Sequence, residues 1–211
     1  MEKFERKIAK SLLQINAIKF NPANPFLWSS GWKSPIYCDN RKILSFPSIR
    51  DEVRKNFVKS IEKNYKQPDV IAGVATGAIA LGALTADAME LPFVYVRSSA
   101  KKHGLENKVE GVIKPGQSVV VIEDLVSTGR SSLNAVQALR EAGGKVTGMG
   151  AIFSYGFSHA QENFKKNDCP LFTLTNYSTL IKVAIEEGFL DEKYTQTLQE
   201  WRKEPETWGQ K

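Results

Sequence analysis

Two acidic residues and a run of small hydroxyl residues follow an apolar stretch in VVVIEDLVSTGRSS, residues 119–132. Glu123 and Asp124 are carboxylates, and carboxylates accept hydrogen bonds from the vicinal hydroxyls of a sugar. Backbone N–H groups at the start of a helix attract a phosphate dianion, and the turn after the acids is predicted to open one. The hydroxyls that would assist belong to Ser127, Thr128, Ser131 and Ser132. A phosphate site within one ribose length of two carboxylates predicts a ribose 5-phosphate ligand.

Taken singly, these features have a common structural explanation. Acid pairs at strand ends and Ser or Thr residues that cap helices occur in many proteins. Their combination is more specific, and it differs from two familiar phosphate-binding patterns. No Gly-Lys-Ser/Thr sequence follows the strand, and no GxGxxG is present. Gly129 lets the backbone approach a ligand closely, so the combination favours a binding site.

A second polar segment, VRSSAKKHGLENKVEG at residues 96–111, follows a predicted strand. Its basic residues are Arg97, Lys101, Lys102, His103 and Lys108. Most such runs are solvated surface loops. A pyrophosphate leaving group, however, needs cations to neutralise its growing charge. A basic loop that closes over the pyrophosphate supplies them and excludes water.

Two further segments carry weaker signals. GVATGAIALG, residues 73–82, ends a predicted strand and opens a helix, so Thr76 and Gly77 are placed to offer N–H groups to a pyrophosphate. Turns of this kind are common in α/β proteins. FLWSSGWKSPIYCDNR, residues 26–41, combines aromatic residues with turn formers. It predicts either a packed aromatic cap or a lid over a flat base.

Strands and helices that alternate along the chain must position these segments. Short apolar runs predict strands within residues 69–77, 92–97, 117–126 and 145–155. Helices are predicted at Phe4–Ile15, Ile49–Ile61, Ala78–Met89, 131–144, Leu180–Ile185 and in the tail after Asp191. This order predicts an α/β domain with a mostly parallel sheet and a ligand site beyond the carboxyl ends of its strands. The first 40 or so residues do not join the alternation and are predicted to form a small lid.

Composition and charge exclude several classes of protein. The chain has 211 residues, of which 42% are hydrophobic and 25% charged, so one ordinary soluble core is expected. The formal net charge is +6, and charge alone leaves nucleic acid, membrane surface and polyanionic small molecule open. No apolar run reaches the length of a membrane span, and the N-terminus is unlike a signal peptide. Cys38 and Cys169 lack metal or redox spacing, so reduced thiols in a cytoplasmic protein are expected.

The segment around the acid pair resembles the 5-phosphoribosyl 1-diphosphate (PRPP) motif of the type I phosphoribosyltransferases. The resemblance implies a mostly parallel central sheet flanked by helices, with a small N-terminal hood. It implies one domain over 1–211, with about 1–42 and part of the C-terminal tail as hood and about 43–190 as PRPP-binding core. Glu123 and Asp124 would hold the ribose hydroxyls, and residues 127–132 the 5-phosphate. The implied PRPP contacts are Thr76, Gly77, Arg97, Lys101, His103, Glu123, Asp124, Leu125, Val126, Ser127, Thr128, Gly129, Arg130 and Ser131.

The basic loop and the aromatic segment are similar to those of the orotate phosphoribosyltransferases. This similarity implies transfer of 5-phosphoribosyl from PRPP to orotate, which yields orotidine 5′-monophosphate and pyrophosphate. It implies Mg²⁺ as cofactor, bound mainly through PRPP and not in a metal site of the protein. Catalytic roles are implied for Lys101, His103 and Asp124, and contact with orotate for Ser127. It also implies a homodimer whose loop reaches the neighbouring subunit's site.

The chain departs from the family pattern at several contact positions. Ser29 and Ser98 stand where many members have lysine, and FSYGF at 153–157 lacks an expected arginine. We hypothesise that Lys33 or Arg41 compensates. Two alternatives remain: a phosphoribosyltransferase for another base, and a PRPP-sensing regulator that binds nucleic acid. The basic loop is better placed for a diphosphate, so neither a nucleic-acid nor a membrane partner is expected.

Overall fold

The architecture is that of a computed structural model, which describes residues 2–28, 30–98 and 108–209. Helices α1 to α7 span Glu2–Gln14, Pro47–Asn64, Ile79–Ala88, Arg130–Glu141, Ser158–Lys166, Tyr177–Glu186 and Thr195–Lys203. Strands β1 to β10 span Ile18–Phe20, Phe26–Leu27, Lys33–Ser34, Ile36–Cys38, Val70–Val74, Phe93–Val96, Val109–Glu110, Ser118–Val126, Lys145–Ser154 and Leu171–Asn176. Short 3₁₀ helices cover Asn40–Ser45 and Glu192–Tyr194. Among the described helices, none has the length and apolar character needed to cross a membrane.

The central sheet has six strands in the order β10-β9-β8-β5-β6-β7. Strands β10 to β6 pair in parallel, and β7 pairs with β6 in the antiparallel direction. The chain leaves β5 for β6 on one side and returns to β8 on the other side. Ligands of such sheets bind at the carboxyl ends of the strands where this order reverses, here between β5 and β8. The predicted α/β class with a mostly parallel sheet is confirmed.

Strand β8 is buried on both faces, as expected for a central parallel strand. Val119 and Val121 pack into one apolar cluster with Leu139 of α4. Val120 and Ile122 pack into the opposite cluster with side chains of α2 and α6. Because both faces are held in this way, the core fixes the position of the acids at the end of the strand.

The segment between α1 and α2 forms two small antiparallel ribbons, β1 with β4 and β2 with β3. This confirms the prediction of irregular or short-stranded structure there. The C-terminal helix α7 packs on this segment through Trp201, which is fully buried and donates a hydrogen bond from Nε1 to the Lys33 carbonyl at 3.2 Å. The Lys33 amine in turn donates to the Gly209 carbonyl at 2.7 Å. The division into hood and core by residue range stays a prediction.

The predicted helices and strands are confirmed, with ends shifted by a few residues. Three elements were not predicted: β7, α5 and β10. Strand β7 has two residues, and α5 buries only Ala160 and Phe164 in its nine, so neither shows a clear period. Strand β10 runs directly into α6 with no Gly or Pro between them, and Asn176 is both the last residue of the strand and the N-cap of the helix.

Candidate active site

A cavity of about 440 Å³ lies at the carboxyl ends of β5 and β8, where the strand order reverses. Three parts of the chain enclose it: the turn after β5, the turn after β8 and the end of the hood. Its lining residues are Cys38, Asp39, Arg41, Val74, Ala75, Thr76, Gly77, Glu123, Asp124, Leu125, Ser127, Thr128, Gly129 and Ser131. The sequence motifs around the acid pair and around Thr76 therefore meet at one site.

The two acids have different surroundings. Glu123 is 4% exposed, and its Oε2 accepts a hydrogen bond from the Ser132 hydroxyl at 2.9 Å. Its Oε1 accepts the backbone N–H of Asp124 at 3.0 Å. Asp124 is less buried than Glu123 and lines the cavity. Ser132 was expected to help bind phosphate. Its hydroxyl is instead buried and donates to Glu123, while the predicted contact of its backbone N–H with a phosphate stays a prediction.

Burial makes this acid pair costly to ionise. It raises the pKa of Glu123 well above its usual range, and the neighbouring Asp124 charge raises it further. Burial also raises the pKa of Asp124, against the lowering effect of its hydrogen bond with Glu123 and of the Arg41 charge. Shifted carboxyl groups in a cleft are typical of functional sites. A ligand that brings cations or hydroxyl donors would stabilise the ionised pair.

The hydroxyl-rich turn leads from β8 into α4. Gly129 caps the helix with φ +79°, in the left-handed region, and its Cα lies against the Phe164 ring, which an added Cβ would meet at 2.8 Å. Glycine is therefore required on both grounds. Ser127, Thr128 and Ser131 line the cavity at the helix N-terminus, where N–H groups are free to bind an anion.

Not every residue of this motif reaches the cavity. Leu125 lines it, whereas Val126 is buried in the core and does not. Arg130 begins α4 as an exposed residue outside the lining. Any contact of Val126 or Arg130 with a ligand would therefore depend on backbone groups or on a change of side-chain position.

The turn after β5 faces the acid pair directly. Thr76 and Gly77 line the cavity, and a Cβ at Gly77 would overlap the Asp124 carboxylate. The peptide bond between Ala75 and Thr76 is cis. Glycine at position 77 is what allows the two turns to approach each other.

The hood contributes residues that were not predicted as site residues. Cys38 and Asp39 line the cavity. Asn40 is buried, and its Nδ2 donates to the Asp124 carbonyl at 2.7 Å while its Oδ1 accepts from the Cys38 thiol at 3.2 Å. The available signal was their position directly after a short strand in a turn-rich segment. Arg41, hypothesised to aid base recognition, also lines the cavity.

Arg97, at the end of β6, lies outside the cavity lining. The Arg97 guanidinium forms an ion pair with Glu110 at 3.4 Å. The backbone N–H of Arg97 donates to the Lys108 carbonyl at 2.8 Å. Lys101 and His103, predicted as catalytic residues, fall outside the described residues, as does Ser29. Their predicted roles stay predictions.

The aromatic residues of the hood pack against the end of β9. The Trp28 ring lies 5.1 Å from Tyr155 and 5.7 Å from Trp201, between centroids, and its Nε1 donates to the Ile36 carbonyl. This favours the packed-cap interpretation for Trp28. Lys33 does not line the cavity. An arginine from α7 does reach FSYGF, because Arg202 donates to the Gly156 carbonyl at 3.3 Å.

Comparison with known proteins fits this arrangement of acid pair, hydroxyl turn and parallel sheet. The family model of the phosphoribosyl transferase domain matches residues 39–189, so the fold is that of this class of protein. An orotate phosphoribosyltransferase of Bacteroides thetaiotaomicron is 56% identical over 208 residues, which cover 99% of this chain and 98% of that protein. The chain belongs to the orotate phosphoribosyltransferase family.

Two further similarities extend over nearly the same length. An orotate phosphoribosyltransferase of Porphyromonas gingivalis is 53% identical over 209 residues, covering 99% of this chain and all of that protein. The crystal structure of orotate phosphoribosyltransferase from Aeropyrum pernix superposes with a TM-score of 0.75 at 27% identity. It covers 87% of this chain and 99% of that one. The type I phosphoribosyltransferase fold expected from the sequence is thereby confirmed.

Proposed function

We propose that this protein transfers the 5-phosphoribosyl group of PRPP to orotate, forming orotidine 5′-monophosphate and releasing pyrophosphate. One observation carries the proposal: a single cavity gathers the acid pair, the hydroxyl turn and the Thr76–Gly77 turn at the reversal point of the sheet. The first two suit a ribose 5-phosphate, and the third suits a diphosphate. Relatives that match nearly the whole chain are orotate phosphoribosyltransferases, which supports orotate as the base.

The reaction requires positioning and charge stabilisation more than bond-making by the protein. The bond from ribose C1 to the diphosphate oxygen breaks, a bond from C1 to a ring nitrogen of orotate forms, and the proton of that nitrogen is released. Positive charge develops on the ribose as the diphosphate leaves. The turn at residues 127–131 would hold the 5-phosphate and Asp124 the ribose hydroxyls, so the reacting carbon is fixed between them. Ser127, which lines the cavity, is proposed to contact orotate.

Mg²⁺ is proposed as the cofactor, bound mainly through PRPP. Within residues 2–28, 30–98 and 108–209, no group of three or more His, Cys, Asp or Glu side chains is arranged to hold a metal ion. The Asp124 carboxylate is a hard oxygen donor at the cavity, which fits an ion that takes its other ligands from substrate and water. When bound, Mg²⁺ neutralises charge on the diphosphate.

The segment that contains Lys101 and His103 is proposed to supply cations to the leaving pyrophosphate, in a homodimer that shares it between subunits. The described residues on either side of it are paired, Tyr95 with Glu110 and Val96 with Val109. Both ends of the segment are thus anchored at one edge of the sheet. A cytoplasmic location is proposed because both Cys38 and Cys169 are free thiols.

A spectrophotometric assay of orotate consumption with PRPP and Mg²⁺ tests the function directly. We expect PRPP-dependent loss of orotate and equimolar release of pyrophosphate. A parallel screen with uracil, adenine, guanine and hypoxanthine distinguishes another base specificity. Turnover of one of these bases without turnover of orotate would contradict the proposal. PRPP-dependent gel shifts of nucleic acid without turnover of any base would instead favour a regulator.

A further inference from the structure

One basic side chain lines the cavity beside several carboxyl groups. Asp39, Glu123 and Asp124 line it, and Arg41 is the only basic side chain among its described lining residues. Arg41 belongs to the 3₁₀ helix that follows β4, one residue after Asn40. Because Asn40 is hydrogen-bonded to the backbone of Asp124, this helix is fixed against the end of β8. The position of Arg41 is therefore tied to the position of the acid pair.

The Arg41 guanidinium is oriented by a single carboxylate. Its Nε donates to Asp39 Oδ1 at 2.6 Å, and no other hydrogen-bond partner of this group occurs in the part of the chain that the structure describes. The N–H groups on the two terminal nitrogens thus remain available. Two such N–H groups form a planar fork that matches both oxygens of a carboxylate. Lysine cannot reproduce this geometry.

The chemistry of the cavity limits what this fork can bind. N–H groups and hydroxyls of the turn at 127–131 already suit the 5-phosphate, and the turn at Thr76 suits the diphosphate. Arg41 lies on the third side, with the hood, and its charge acts on Asp124, the acid assigned to the ribose hydroxyls. Because the two turns are assigned to the phosphate and the diphosphate, the hood side of the cavity is the side left for the base. The remaining anionic group of the proposed reactants is the carboxylate of orotate.

We infer that Arg41, oriented by Asp39, binds the carboxylate of the pyrimidine and is the residue that distinguishes orotate from a neutral pyrimidine such as uracil. The inference rests on the proposed function, since it assigns one contact within that reaction. It does not depend on the residues outside the described ranges. A carboxylate held by a charged fork contributes roughly ten- to a hundredfold in affinity.

A comparison of two nucleotides isolates this contact. Orotidine 5′-monophosphate and uridine 5′-monophosphate share ribose and phosphate and differ by the carboxylate. Calorimetry would give the dissociation constant of each nucleotide for the wild type and for Arg41→Ala. We expect Arg41→Ala to weaken binding of orotidine 5′-monophosphate by roughly tenfold or more and to leave uridine 5′-monophosphate nearly unchanged. The dissociation constant of uridine 5′-monophosphate divided by that of orotidine 5′-monophosphate, the nucleotide ratio, should therefore fall.

Lys42→Ala is the matched control, because it removes the same charge one residue away. The Lys42 amine donates to the Asn16 carbonyl at 3.1 Å, and Lys42 does not line the cavity. We expect its nucleotide ratio to equal that of the wild type. Arg41→Lys and Asp39→Asn should lower the ratio by less than Arg41→Ala does. These two variants carry the test if Arg41→Ala fails to fold.

Two results would overturn the inference. An equal loss of affinity for both nucleotides in Arg41→Ala would mean that Arg41 contacts the phosphate or the ribose. Unchanged dissociation constants would mean that Arg41 does not contact the nucleotide. Failure of the proposed function is separate, because it would show as a wild type that consumes no orotate. Selective binding of orotidine 5′-monophosphate that depends on Arg41 would still support the contact in that case.

Discussion

At the scale of single residues, the acid pair shows how two neighbours on one strand take different tasks. Successive side chains of a strand point to opposite faces, so Glu123 and Asp124 differ in burial although both lie at the cavity. Glu123 is turned inwards to the Ser132 hydroxyl, whereas Asp124 faces the cavity opposite Gly77. Glu123 is therefore bonded to α4, and Asp124 is the more accessible carboxylate of the pair; that the two acids hold the ribose hydroxyls stays a prediction.

Asp124→Asn should weaken binding of PRPP by roughly tenfold or more, because a neutral amide accepts hydrogen bonds from hydroxyls less strongly than a carboxylate does. Calorimetric titration with PRPP and Mg²⁺ measures the effect. Asp69→Asn is a suitable control, since Asp69 accepts hydrogen bonds from Ser118 at the opposite end of the sheet. Unchanged affinity in Asp124→Asn would mean that the ribose hydroxyls are held elsewhere.

Glu123→Gln should stabilise the free protein by about 1 kcal/mol at neutral pH. The pKa of Glu123 is raised by burial, so above the usual pKa of glutamate the folded state retains a proton that the unfolded state has released. Stability from this group is present at acid pH and falls as pH rises towards the raised pKa. Thermal unfolding at several pH values should show a difference between variant and wild type that shrinks with acidification. A difference of opposite sign, or one independent of pH, would contradict this account.

At the scale of elements, the site exists because three turns meet, and the 3₁₀ helix at Asn40 joins the hood to β8. Asn40 is buried and makes two hydrogen bonds, one to each side of this junction. Because the Asn40 amide is bonded to Cys38 on one side and to Asp124 on the other, it positions β4 relative to β8. The junction therefore links the hood to the acid at the end of β8.

Asn40→Ala should lower the free energy of unfolding by about 2 kcal/mol, because it leaves the Asp124 carbonyl without its partner in a buried place. It should also raise the KM for PRPP, since Asp124 loses the hydrogen bond that positions its backbone. Asn56→Ala is the control: it removes an amide-to-carbonyl hydrogen bond of 2.8 Å within α2, far from the cavity. A loss of stability in Asn40→Ala with an unchanged KM would reduce Asn40 to a purely structural role.

The sequence predicts these elements unevenly, for physical reasons. The apolar run before Glu123 predicts its strand correctly, because a strand buried on both faces needs apolar residues throughout. The meeting of residues 76–77 with Asp124 follows from the rule for parallel sheets. Nothing local predicts that Asn40 reaches Asp124, since that contact joins residues 84 positions apart through tertiary packing. The hydrogen bond from Ser132 to Glu123 cannot be predicted from the sequence for the same reason.

At the scale of the whole molecule, the C-terminal helix α7 packs against the hood. Trp201 of α7 is fully buried among Trp28, Tyr155 and Tyr177, and it bonds to the Lys33 carbonyl. The C-terminal helix is thus part of the packing of the hood. Its role depends on contacts with residues far away in sequence.

Trp201→Ala should lower the free energy of unfolding by about 3 to 5 kcal/mol, as expected for removal of a large buried aromatic side chain. Trp201→Phe should cost less, because it keeps most of the packing and loses only the hydrogen bond to Lys33. Denaturant titration followed by circular dichroism measures both. A loss below about 1 kcal/mol in Trp201→Ala would show that α7 is dispensable for the hood.

The four tryptophans of the chain, Trp28, Trp32, Trp201 and Trp208, all belong to the hood ribbon or the C-terminal tail. The sheet and its flanking helices contain none. Intrinsic tryptophan fluorescence therefore reports on the hood and the C-terminal tail, whereas far-ultraviolet ellipticity reports mainly on the sheet and helices. Superimposable melting curves from the two signals would mean that the hood and the central sheet unfold as one cooperative unit. Separate curves would mean that they unfold as two units.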